Sequence, residues 1–150
     1  MFKEMKKRIK NEKGLTLVEL LAVIVILAIV AAIAIPAIGN IINNQRDKAV
    51  LADVSGVISA AKIANTDGSC GTGNVCGKDD LADYISVKGF KATGDQVDLT
   101  TVTDPEIKYT LASGEEIKAG GKMAKALGKA YAVGDVLTIK ESKLNEVMGK

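Results

Sequence analysis

The sequence predicts an α+β chain: a long amino-terminal helix, apolar and then amphipathic, packed on a small antiparallel β-sheet head. Three observations predict it. No charge interrupts the chain from Leu20 to Gln45, and the first part of that run is nearly pure Leu, Ile, Val and Ala. Val50, Val54, Val57, Ile58, Ala61 and Ala64 then recur at helical spacing, with Arg46, Lys48, Asp53, Ser59 and Lys62 on the other side. Further on, Val97-Asp-Leu-Thr-Thr-Val and Ile107-Lys-Tyr-Thr-Leu alternate with the period of half-buried antiparallel strands.

The apolar helix comes first. At ~1.5 Å per residue, Leu15 to Pro36 reaches ~30 Å, one bilayer crossing. Residues 1–13, rich in Lys and Arg, form a cytoplasmic leader by the positive-inside rule, which puts the carboxyl-terminal part outside. Two bland readings compete here. Ala32-Ile33-Ala34 offers a secretory cleavage site and the whole run offers a plain signal anchor, but neither accounts for Gly14 or for Glu19. No Leu-x-x-Cys lipobox and no Leu-Pro-x-Thr-Gly sorting signal occurs.

Glu19 is the exception in the run, and an ionisable side chain at membrane depth is costly enough to require a reason. One reason is local: Thr16 and Glu19 have the Thr-x-x-Glu spacing of a capping box, which satisfies free amides at a helix start. The other is a cation supplied by another copy of the chain. The two are compatible.

Lys13-Gly14 followed by Leu-Thr-Leu-Val-Glu-Leu-Leu closely resembles the class III signal of type IV prepilins and pseudopilins. The shared features are a short basic leader ending in Gly, an apolar residue after the cut, Glu fifth after it, and Pro further along. The resemblance covers the first third of the chain. It implies that a prepilin peptidase cleaves between Gly14 and Leu15 and methylates the new amino group of Leu15. It also implies that Glu19 pairs with the amine of a neighbouring subunit, and that Pro36 marks where the helix loosens on packing into a filament. The expected division is a leader over residues 1–14, a helix over 15–65 with halves 15–36 and 37–65, and a head over 66–150.

Pro36 lacks an amide hydrogen and crowds the preceding turn, and Gly39 lowers helix preference nearby, so the pair marks a helix break or bend between Ile35 and Asn40. A kink at the membrane surface and a segment that unwinds on assembly both fit.

The segment from Asn65 to Gly77, dense in Gly, Asn and Asp, ends the helix in a loop. It contains Cys70 and Cys76. Outside the cytoplasm a disulfide closing a small ring is favoured over paired thiols, and zinc lacks both the C-x2-C spacing and a second ligand pair. Gly71 and Gly73 lack the third Gly and the preceding strand of a dinucleotide site. The head is then expected to hold a short helical turn at Asp80 to Ile85. Strands are expected near Ser86 to Phe90, Gln96 to Val102, Ile107 to Ala112 and Val136 to Lys140.

Charge and composition narrow the function. Residues 1–14 hold six of the 20 basic and two of the 18 acidic residues, leaving 14 basic and 16 acidic beyond the cut, a net −2. No general polyanion-binding role follows. Lys122, Lys125 and Lys129 share a helical spacing without interleaved aromatics, which favours a solvated face over a nucleic-acid site. Asp79, Asp80 and Asp83 lack the order of a calcium loop. With no His, the usual general base and commonest transition-metal ligand are missing, and the chain is read as no enzyme, with no metal or cofactor.

These readings converge on a structural subunit, a type IV pilin held in the cytoplasmic membrane and then assembled into a surface filament. Its implied partners are copies of itself, the prepilin peptidase, an assembly ATPase with its membrane platform protein, and membrane lipid. A competence or type II secretion pseudopilin is the alternative within the family. A monomeric membrane-anchored module binding DNA or another extracellular ligand is the alternative outside it.

Overall fold

The computed structural model describes residues 17–150 in full and, of residues 2–16, the backbone alone. Helix α1 spans Phe2–Thr66. It contains Pro36 and Gly39, so the expected break is not present as an interruption of the helix. The physical reason is local: a proline deletes one intrahelical hydrogen bond and crowds one turn, while the hydrogen bonds of the adjacent turns continue the helix past it. The chain divides into two compact units, Met1–Asn40 and Ile41–Lys150.

In the second unit, residues after the apolar run are sorted by helix period. Val50, Leu51, Val54, Val57, Ile58, Ala61 and Ala64 are buried, while Arg46, Lys48 and Ser59 are exposed. Ser59 returns its hydroxyl to the Ser55 carbonyl at 2.9 Å. The helix ends where Gly68 adopts φ 75, a conformation that costs a glycine nothing. The amide of Ser69 then closes on the Ala64 carbonyl at 2.9 Å.

Four antiparallel strands follow in the order β1-β2-β3-β4. They are β1 (Val75–Gly77), β2 (Gln96–Asp98), β3 (Glu106–Thr110) and β4 (Val136–Lys140). Register puts Cys76 opposite Val97, Val97 opposite Ile107, Ile107 opposite Ile139 and Tyr109 opposite Leu137. All of these are buried and join the buried face of α1 in one core. Two short helices complete the unit, α2 (Lys122–Leu127) and α3 (Glu141–Met148). Helix α3 buries Leu144, and Glu141 receives the Lys62 ammonium of α1 at 2.6 Å.

Four expected elements change. The helical turn at Asp80 to Ile85 is a pair of turns, bonded Leu81 to Gly77 at 3.3 Å and Ile85 to Leu81 at 3.1 Å. Residues 86–90 form no strand: Phe90 sits at φ 56, outside the extended region, and only its amide reaches a strand, bonding the Thr110 carbonyl at 3.4 Å. The strand expected over Gln96 to Val102 stops at Asp98, because the Asp98 carboxylate captures the Thr100 amide at 2.9 Å and hydroxyl at 2.6 Å, turning the chain. The strand expected over Ile107 to Ala112 spans Glu106–Thr110, and Leu111 bonds instead to Asp135 and Gly134.

Candidate functional site

The apolar stretch of α1 is organised by exposure. Every described large apolar side chain from Leu17 to Ile42 is exposed, with Leu17 at 68%, Ile33 at 71% and Ile35 at 70%. A helix apolar on all sides has no solvent face, so it belongs in lipid or among other apolar helices. Among the described residues this is the one helix long and apolar enough to cross a membrane. Glu19 is exposed on it, the sole charge between Leu17 and Gln45. The side chains of Gly14, Leu15 and Thr16, which carry the expected cut, methylation and capping box, lie outside the described residues.

In the second unit Cys70 and Cys76 are joined as a disulfide, with their Cα atoms 4.6 Å apart. The sulfurs lie 3.8 and 3.6 Å from the Ala61 carbonyl oxygen, which seats the ring on α1. Cys76 is also the buried residue of β1, so the bond ties the loop to the edge of the sheet.

The charged groups of the head are largely spent on structure. Asp80 accepts the Gly77 amide at 2.9 Å, while Asp79 and Asp83 face solvent. Lys122, Lys125 and Lys129 are exposed, and the Lys129 ammonium stands 4.5 Å from the Tyr131 ring centre. Phe90, Tyr109 and Tyr131 are all buried, so these lysines are not accompanied by aromatic faces open to bases.

Three buried carboxylates were not singled out by the sequence, since nothing in a lone Asp or Glu announces burial. Glu115 accepts the Tyr109 hydroxyl at 2.9 Å and the amides of Gly89 and Ala112 at 3.3 and 2.8 Å. Asp95 accepts the amides of Ala92 and Thr110 and the Thr110 hydroxyl. Asp47 differs: it is 1% exposed and neither carboxylate oxygen has a hydrogen-bond partner. Burial pushes its pKa up, and the charge of Glu116 adds to that. The backbone amide and the charge of Lys118 pull it the other way.

No curated protein and no solved structure matches the chain. Residues 9–35, which include Glu19 and the start of the exposed apolar helix, match the family described as the prokaryotic N-terminal methylation motif. That motif is the hallmark of the class III signal peptides of type IV pilins and pseudopilins, and the similarity covers residues 9–35.

Proposed function

We propose that the chain is a structural subunit of a type IV pilus, processed at the membrane and polymerised through its amino-terminal helix. The observation that carries this reading is a fully exposed apolar helix bearing a single carboxylate, inside the matched methylation motif. Before assembly, lipid covers that surface and the basic leader stays in the cytoplasm. A prepilin peptidase then cuts between Gly14 and Leu15 and methylates Leu15. The assembly ATPase and platform protein draw the processed chain out, and neighbouring helices replace lipid around residues 17–42.

Glu19 sets the register of that exchange. A carboxylate among apolar helices is unfavourable unless a positive group lies within reach, and the cut creates one on Leu15. A staggered neighbour brings its amine to this Glu19. At ~4 Å and an effective dielectric near 20 the attraction is about 4 kcal/mol before desolvation is subtracted. That selects one register among greasy alternatives without holding the filament by itself.

The test is made in the native host. Mass spectrometry is expected to find a chain starting at methylated Leu15, and Glu19→Ala is expected to be inserted and cut yet give few filaments even when overproduced. An intact Met1 start in peptidase-competent cells, or a normal filament yield from Glu19→Ala, overturns the reading.

A further inference from the structure

Between β1 and β2 the chain folds a cleft out of one continuous segment. Lys78, Ala82, Ile85, Val87, Phe90 and Lys91 line a cavity of about 290 Å³, and Gly89 completes it. Residues 78–91 are turns and irregular chain, and Lys78 and Lys91, at the two ends of the segment, reach the same cavity. The loop therefore closes on itself, as compact functional surface loops do.

The walls are held from behind. Leu81 is fully buried in the core, and its carbonyl accepts the amides of Tyr84 and Ile85 at 3.0 and 3.1 Å. The Gly89 amide donates to the buried Glu115 at 3.3 Å, and the Phe90 amide to the Thr110 carbonyl at 3.4 Å. Phe90 is kept at φ 56, a backbone conformation that residues with side chains adopt where their surroundings impose it, and such positions gather at binding sites. A cleft fixed in this way charges a ligand little for ordering it.

We propose that this cleft binds a small organic carboxylate with an apolar body, of the arylalkanoate class. Ala82, Ile85, Val87 and Phe90 give the body an apolar wall, and both charged residues of the lining are cationic. Neither ammonium is firmly engaged. That of Lys78 lies 3.9 Å from the Asp79 carboxylate, which is itself 91% exposed, and Lys91 joins none of the ion pairs among the described residues. Asp79 and Asp83 face solvent and do not line the cleft, so no carboxylate there repels an anion. The volume sits at the lower end of the ~300–1,000 Å³ of ligand pockets, which suits one ring or a short chain. This inference is independent of polymerisation, since every residue in it belongs to the second unit.

The experiment uses the full chain in detergent micelles, with sodium 3-phenylpropionate as the probe and saturation-transfer NMR as the readout, against protein-free micelles. Partly exposed lysines and a small ligand give weak binding, with an expected Kd of about 1 mM. Acetate, which lacks the apolar body, and 2-phenylethylammonium, which reverses the charge, are each expected to bind at least about fivefold more weakly. The double variant Lys78→Gln, Lys91→Gln is expected to keep its Tm within a few degrees and to weaken binding about fivefold, because each exposed pair is worth little alone. Ala82→Phe keeps both charges but fills the cleft; Ala82 is exposed, so the variant is expected to fold and to lose the signal. No signal above the micelle control at about 10 mM probe overturns the site. A signal unchanged in both variants overturns it too, since the probe would then be held elsewhere on the protein.

Discussion

The tightest side-chain arrangement in the head is Tyr109 over Gly89. A Cβ on Gly89 would stand on the Tyr109 ring atoms, and Tyr109 is fully buried and holds Glu115 through its hydroxyl. Gly89→Ala is therefore expected to destabilise the head by about 1–3 kcal/mol, since the ring has no free space to move into. Tyr109→Phe keeps the packing but removes one of the donors to a buried carboxylate, at a cost of about 1–3 kcal/mol. Denaturant melts of both variants check these values. Burial and Glu115 together push the Tyr109 phenol well above the usual tyrosine range, so its ionisation in an alkaline absorbance titration should coincide with unfolding.

Asp47 also gives the fold a pH signature. Its folded-state pKa is raised above the ordinary 3.8, so the folded state holds a proton that the unfolded chain has lost. In that window stability falls as pH rises, and acidification toward 3.8 restores it. Asp98 and Asp104 have the opposite sign: hydrogen bonds from Thr100 and Ser142 depress their pKa values, and the stability they supply is lost as pH falls below 3.8. Asp53, whose pKa burial also raises, shares the first sign, so Asp47→Asn should reduce that dependence and leave the second, a comparison read from Tm across acidic and neutral pH.

At the scale of elements, the disulfide and the α1–α3 ion pair differ in weight. The Cys70–Cys76 ring is short, with a sequence separation of 6, and closing such a ring restricts the unfolded chain by about 2 kcal/mol. Replacing both cysteines by serine should lower Tm by several degrees, as should reductant on the wild type. The Lys62–Glu141 pair is partly exposed, at 37% and 23%, so Lys62→Met should cost about 1 kcal/mol or less and lose its effect in high salt. The elements that sequence made legible are those whose burial pattern is complete. The stripe from Val50 to Ala64 and strand β4, with Leu137 and Ile139 inward, follow their periods without interruption. Helix α3 was not legible because it buries only Leu144 fully, with Val147 and Met148 at its edge. Strand β1 was hidden in the Gly-rich loop because its three residues pair through backbone bonds that composition does not encode. Phe90 misled for a related reason: an aromatic favours a strand, yet here the backbone takes φ 56 to bring the ring against Tyr109, 6.2 Å between centres.

At the scale of the whole molecule, the methylation motif was legible because its parts are sequence-local: a basic leader, Gly14, an apolar residue and Glu19 need no tertiary contact to be recognised. The burial of Asp47 was not, because Asp47 lies against a turn some seventy residues away, and only folding brings them together. The two units are equally unlike in what holds them. The core of the second is built from buried apolar residues between Val50 and Leu144, while the large apolar side chains from Leu17 to Ile42 contribute none and lie open. Removing the latter therefore subtracts nothing from the core and takes away the surface that water rejects. A fragment beginning at Asn43 is expected to fold without detergent and to sediment as a monomer. Its Tm should fall within a few degrees of the full chain in micelles. Aggregation of that fragment, or loss of its cooperative melt, would mean that residues before Asn43 are needed for the head to fold.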